Sequence, residues 1–414
     1  MNTRTLAVIA AFTAALVLVA ALTVLSGGAG GDGLPARLVP DLYDRSGQIQ
    51  RLRIESAGGV IVLERDRGDE ADEADSGGER AERWRLAEPY GGYPADPARV
   101  GAALRTIAEL EPAGRRTANP ENHALLGVQD VDESESRPSG TVRVTLSGPG
   151  GATLADLVLG RTSDAGGRYA RRVGEDQSWL TQGPAGVPDS PRRYLPSPVL
   201  EIPARRIVSI RLDPAGGEGF TIRRNPRRQR PDQAGDADTA AETPPETEPE
   251  TEPPFRIEGL PEGAELVDDA NETLSRIVAS LSFVTPRDVR PADDAPSDPD
   301  TTSYAVVRTD DGLALAIAIT PAPAEDGGGN GAWVRISPSR EPTSGDAAAE
   351  DAGGTAAAPD SVGITDAAFN ALQRRLEGWA LRLSGPLVDR LRTTADDITI
   401  EQAPPGAAPL PPTR

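Results

Sequence analysis

IQRLRIESAGG (residues 49–59) returns later in the chain as IVSIRLDPAGG (residues 207–217). Aligned without a gap, the two share Ile49 with Ile207, Arg53 with Arg211, Ala57 with Ala215 and both glycines, while Leu52, Ile54 and Glu55 face Ile210, Leu212 and Asp213. A recurrence of this kind decides the architecture before any motif is read, because it makes the chain two copies of one unit. The match resumes downstream. WRL at Trp84 faces FRI at Phe255, and at that same offset Ile107, Ala108 and Leu110 face Val278, Ala279 and Leu281. Further on, RYARR at Arg168 resembles AWVRI at Ala332.

Within the first copy, Leu52, Ile54, Val60, Val62 and Leu63 flank SAGG and predict two short strands around a glycine turn. Trp84 and Leu86 alternate with Arg83 and Arg85, as a third half-buried strand would. Residues 83–100, RWRLAEPYGGYPADPARV, then pass through a turn into a helix: Asp96 stands at the N-cap and Pro97 at the first helical position, where no N–H is needed. Val100, Leu104, Ile107 and Leu110 form the apolar stripe of that helix. Trp84 is read as core. TVRVTLSGPGGATLADLVLG (residues 141–160) predicts a hairpin around GPGG, and RYARRV and SWLTQG predict a further strand pair. The second copy repeats these with SYAVVRTDDGLALAIAIT (residues 303–320) and AWVRIS (residues 332–337).

The predicted fold is α+β: an N-terminal transmembrane helix, then two repeated, mostly antiparallel sheet domains with one main helix each. The domains are placed at residues 45–204 and 205–400, after an anchor and tether at residues 1–33 and before a Pro-rich disordered tail at residues 401–414. With only 37% hydrophobic residues, 44 Gly and 39 Pro, much of the chain is expected to lie in linkers. Disordered inserts are placed at about residues 65–82, 226–254, 288–301 and 340–362. The acidic, Pro-rich ETPPETEPETEPP has no apolar periodicity, and its like charges repel.

LAVIAAFTAALVLVAALTVL (residues 6–25) is an uncharged apolar run, long enough for a helix to cross about 30 Å of hydrocarbon. Arg4 on its short leading side puts the N-terminus in the cytoplasm by the positive-inside rule, leaving the body periplasmic or extracellular on a single inner-membrane span. The competing reading is a cleaved signal peptide, for which SGGAGG supplies small residues; the length of the run favours the uncleaved anchor.

The formal charge of -21 argues against a nucleic-acid partner, which needs a basic face. Cysteine is absent and every basic residue is Arg, so thiolate nucleophiles, disulfides and Lys-based chemistry are excluded. His123 is the single histidine, which rules out a His-ligated metal cluster; in NPENHALLGV it is read as structural or surface. Glu109 with Glu111, and Asp310 with Asp311, are candidate carboxylate pairs, but Asp-Asp-Gly between strands is read as a hairpin turn. The glycine-rich SGPGGATL and EDGGGNGAW lack the Lys of a phosphate loop. The Arg-rich RRNPRRQR (residues 223–230) is read as compensating the adjoining acidic run, with an anionic polymer or headgroup as the alternative. No catalytic, metal or cofactor-binding residue is assigned, and no cofactor is expected.

The order of the pieces resembles domain-of-unknown-function family 4340, a bacterial family. The resemblance rests on the membrane-anchored N-terminus, WRLAEP...PADPARVGAALRTIAEL, NPENHALLGV and LVLGRTSDAGGRYARR. It is best in the first copy; the second has Phe255 for Trp84 and lacks a clear equivalent of HALLGV. The resemblance implies an envelope protein, with relatives that accompany ABC transporters of the gliding-motility and polymer-export kind as auxiliary subunits. It carries over no catalytic residue.

The function expected is therefore a non-enzymatic, membrane-anchored interaction subunit, with an ABC transporter permease and ATPase as protein partners. One alternative is a glycan- or peptidoglycan-binding module that stacks on Tyr90, Tyr93 and Tyr169, which requires those rings to be exposed. Another is a hydrolase working through two carboxylates in a concave pocket.

Overall fold

The computed structural model describes residues 34–66, 83–130, 139–164, 166–182, 186–225, 254–260, 264–322, 331–341 and 363–400. The apolar run at residues 6–25, the tail at residues 401–414 and most of the expected inserts lie outside the described residues. Among the described residues, no helix is long and apolar enough to cross a membrane.

The chain divides into two compact units, residues 1–60 with 101–189 and residues 61–100 with 190–414. Strands β1 (Arg51–Ser56) and β2 (Gly59–Arg65) form on either side of the Ala57-Gly58 turn, followed by β3 (Trp84–Glu88) and β4 (Tyr93–Pro94). Helix α1 (Pro97–Ala108) starts where Asp96 accepts the N–H groups of Ala98 at 2.9 Å and Arg99 at 3.3 Å. Next come β5 (Pro112–Arg115), the one-turn helix α2 (His123–Leu126), β6 (Val142–Ser147), β7 (Thr153–Thr162), β8 (Arg168–Arg172) and β9 (Ser178–Thr181). These strands make one sheet in the order β4-β3-β2-β1-β6-β7-β8-β9-β5.

The second half contains β10 (Ile207–Asp213), β11 (Phe220–Arg224), β12 (Phe255–Glu258), β13 (Glu265–Leu266), helix α3 (Ala270–Ser280) and β14 (Asp288–Pro291). It continues through β15 (Ser303–Thr309), β16 (Leu313–Pro321), β17 (Ala332–Arg340), helix α4 (Asp366–Leu376), β18 (Trp379–Leu383), helix α5 (Gly385–Leu391) and β19 (Thr399–Ile400). Its large sheet runs β12-β11-β10-β15-β16-β17-β18-β14, while β13 and β19 make a separate ribbon. Strand for strand, this is the order of the first sheet from β3 to β5. The pairings within these sheets are antiparallel, so the fold is α+β on mostly antiparallel sheets.

Two expectations are corrected. The second copy has more than one main helix, because α4 and α5 follow β17. Helix α4 has its own start signal, with Thr365 Oγ1 accepting the N–H of Ala368 at 3.3 Å. Residues 288–301 are not a structureless insert either. Val289 and Ala295 are buried, and β14 pairs with β18 from Asp288↔Arg382 to Pro291↔Trp379. A four-residue strand ending in Pro beside PADDAP carries too few apolar positions to show a period.

Each unit buries its own core. In the first, Leu52, Ile54, Ile107, Val144, Leu146, Leu157 and Leu159 are all buried. In the second, Ile210, Leu212, Leu274, Ile277, Val307, Leu315, Ile317, Trp333 and Leu381 are buried. A fully buried aliphatic side chain of this kind contributes about 1.5–3 kcal/mol.

Candidate functional site

In the first unit, the stretches NPENHALLGV and LVLGRTSDAGGRYARR come together. The side-chain carbonyl of Asn119 accepts the N–H of Glu121 at 3.1 Å, which fixes the entry to the loop. Helix α2 ends at Gly127, whose φ of 69° is a left-handed conformation that suits glycine. Thr141 Oγ1 donates to the Gly127 carbonyl at 3.0 Å. Gly160 of β7 lies directly beneath: a Cβ there would sit 2.2 Å from the Leu126 carbonyl oxygen. The two glycines therefore let one backbone seat on another.

His123 is buried, and its Nε2 donates to the Asp176 carbonyl at 2.8 Å. The carbonyl can only accept, so Nε2 carries the hydrogen. Arg168 donates from Nε to the Gly160 carbonyl at 2.7 Å and from Nη2 to the Gly140 carbonyl at 2.9 Å. Burial lowers the pKa of its guanidinium, and Asp189 opposes that shift.

Arg171, 2% exposed, is the most enclosed cation of the group. Its Nε donates to the Val128 carbonyl at 2.8 Å, Nη1 to the Glu175 carbonyl at 2.9 Å, and Nη2 to Asp130 Oδ1 at 2.5 Å. Across Val158 on the same row of the sheet, Arg143 makes a two-pronged pair with Asp156 at 2.9 and 2.8 Å; the bond to Asp156 holds the Arg143 pKa above its ordinary value.

Arg335 in the second unit occupies the place of Arg171 in the alignment of RYARR with AWVRI. Its Nη2 donates to the carbonyls of Ala292 at 3.1 Å, Ala295 at 2.9 Å and Pro296 at 3.0 Å. Both arginines thus clamp the segment that leads into the next strand, β6 or β15. The signal was present in the aligned stretches, but neither arginine was singled out from sequence. Arg290 caps the neighbouring Trp333 ring, its guanidinium carbon 3.7 Å from the centroid.

A groove of about 300 Å³ in the second unit is lined by Leu200, Ile202, Leu313 and Leu372 with Arg206 and Asp311. Asp311 is buried and already engaged, accepting from the Thr309 hydroxyl and pairing with Arg206, which also reaches Asp310 at 3.2 Å. Gly312, at φ 80°, completes the β15–β16 turn that Asp-Asp-Gly foretold.

The remaining candidates disperse. Glu109 and Glu111 are exposed. Arg223 pairs with Glu258 at 3.1 Å, and Arg224 donates to the carbonyls of Ile207 at 2.9 Å and Ala204 at 2.6 Å; residues 226–230 lie outside the described residues. The tyrosines do not make an exposed stacking platform. Tyr93 is fully buried, with its ring edge-on to Trp379 at 5.0 Å and its hydroxyl donating to the Arg375 carbonyl at 3.0 Å. Tyr90 is buried beside Asp288 and Tyr169 is half-buried. The rings fill core because alternation along β4 turns Tyr93 inward. Among the described residues, no group of three or more acidic or histidine side chains is placed to hold a metal ion.

Compared with known proteins, residues 84–301 match the family model described as Domain of unknown function (DUF4340). No curated protein and no solved structure matches.

Proposed function

The chain belongs to the DUF4340 family, matched from the start of β3 to the approach to β15, and on that footing we propose that it is a non-catalytic, membrane-anchored envelope protein serving as an auxiliary subunit of an ABC-type export complex. Residues 6–25 are the single inner-membrane span in this reading, and the two sheet-based halves face the periplasm. The observation that carries it is where the polar side chains of the family-like stretches are used. His123, Arg168 and Arg171 are bonded chiefly to main-chain carbonyls of their own unit, which supports a role in holding surface shape for a partner.

The test is affinity recovery of the tagged full-length chain from gently solubilised native membranes, with a chain lacking residues 1–33 run in parallel. Stoichiometric recovery of one permease and its ATPase is the expected result, and the shortened chain tells whether the anchor or the body makes the contact. Recovery of neither by either chain overturns the proposal.

A further inference from the structure

The two copies differ at one sheet edge. In the first, β4 covers the outer side of β3: Ala95 N–H donates to the Trp84 carbonyl and Gly92 N–H to the Leu86 carbonyl, both at 2.8 Å. The equivalent residues of β12 are Phe255 and Ile257. Here the element after the strand, β13, pairs with β19 instead. On the inner side of β12, Asn225 N–H donates to the Pro254 carbonyl at 3.1 Å, and Arg223↔Arg256 and Thr221↔Glu258 are opposed. The alternation of an antiparallel ladder then points the N–H and C=O groups of Phe255 and Ile257 outward. Among the described residues, nothing meets them. A strand edge in this state is a template for another strand.

We propose that this edge pairs with β12 of a second copy of the chain, antiparallel and centred on Ile257. The charge pattern selects that occupant. About a two-fold axis at Ile257, Arg256 of each copy stands opposite Glu258 of the other, on the exposed face where both side chains already lie. Ile257 meets its own counterpart on the apolar face. Centring the pair on Arg256 instead would oppose two arginines, so like-charge repulsion disfavours that register. The strand is four residues long, too short to bury the roughly 1,000 Å² of a permanent interface. The association is therefore weak and reversible, and it does not rest on the transporter reading.

Because the chain contains no cysteine, a single introduced one reports on the contact. Paired residues at the centre of such a ladder have Cα atoms about 5.5 Å apart, within disulfide range. The purified full-length Ile257→Cys variant is treated with a mild oxidant beside Val208→Cys, an exposed position on the same sheet. The expected result is a covalent dimer at 257 far in excess of 208. Adding Arg256→Glu opposes carboxylates in both pairs and is expected to lower the yield roughly tenfold. Adding Glu258→Arg as well restores the complement and the yield. Unfolding curves of the reduced variants verify that each is folded. Equal yields at 257 and 208 overturn the proposal, and so does failure of the double reversal to restore cross-linking.

Discussion

The two halves arrive at one strand order with different fittings, most clearly at the position where β7 or β16 meets the preceding loop. In the first half that position is Gly160, and the one-turn helix before Gly127 sits on the bare backbone. The pairings Leu159↔Ala170 and Ile319↔Val334 put Thr320 at the same place in the second half. The 3-10 turn before β15 there is Ala292–Asp294, and Thr320 is buried with its hydroxyl 2.9 Å from that of Thr302. One copy leaves room for a backbone, and the other fills the room with a side chain. What both retain is the arginine clamp. The difference teaches that the sheet order tolerates change in what covers it, provided the crossing segment remains tied down by its carbonyls.

The sharpest way to break the comparison is Gly160→Ala. A methyl group has no space beneath Leu126, so the first unit is expected to lose about 3 kcal/mol or more in equilibrium denaturation, against about 1–2 kcal/mol for Thr320→Ala. Equal losses would show that the loop is not seated on Gly160.

The clamps come next. Arg171→Ala strands buried carbonyls and is expected to cost about 3 kcal/mol. Arg335→Ala, in a half-buried site where one nitrogen serves three carbonyls, is expected to cost about 1–2 kcal/mol. Amide hydrogen exchange at residues 128–130 and 292–296 would localise each effect.

Alkaline pH separates the arm of the second unit, residues 61–100, from the rest. Burial, helped at Tyr90 by Asp288, raises both the Tyr90 and Tyr93 pKa values above the ordinary 10.0. Their contribution is fully present below pH 10. It falls as pH rises beyond that, because the unfolded chain then ionises phenols that the folded unit keeps neutral. Thermal unfolding at pH 9 and 11 should show a smaller alkaline loss in Tyr93→Phe than in the parent chain. An equal loss would place Tyr93 outside the effect.

The smallest change is expected from Arg308→Ala, which removes an exposed pair with Glu341 at 2.7 Å and should shift stability by no more than about 0.5 kcal/mol.

Much of the architecture was legible because the residues that recur are those that alternate. β1 and β10, and β3 and β12, each carry an inward apolar set with arginines between, and the Asp96-Pro97 start of α1 is a local signal complete in itself. The edge strands β5 and β14 were not legible. PAGR and DVRP contain Pro or Gly and are held by the neighbouring strand, so local preference reads them as turns. Helix α4 was not legible although Thr365 marks its start, because Leu376 is its one buried residue and its apolar stripe is weak. Arg171 looked like one basic residue in a run of them; only the fold shows that it turns inward to carbonyls.

The arm that carries Tyr93 belongs to the second unit but precedes residues 101–189 of the first in the chain. The Tyr93 hydroxyl bonds to a carbonyl 282 residues further along the chain. At about 5–20 residues per second, that acceptor is made roughly 14–56 s after its donor. For that interval the arm must wait with its aromatic ring unhoused, so the second unit cannot be completed piece by piece as the chain emerges. It closes only when almost all of the sequence has been synthesised.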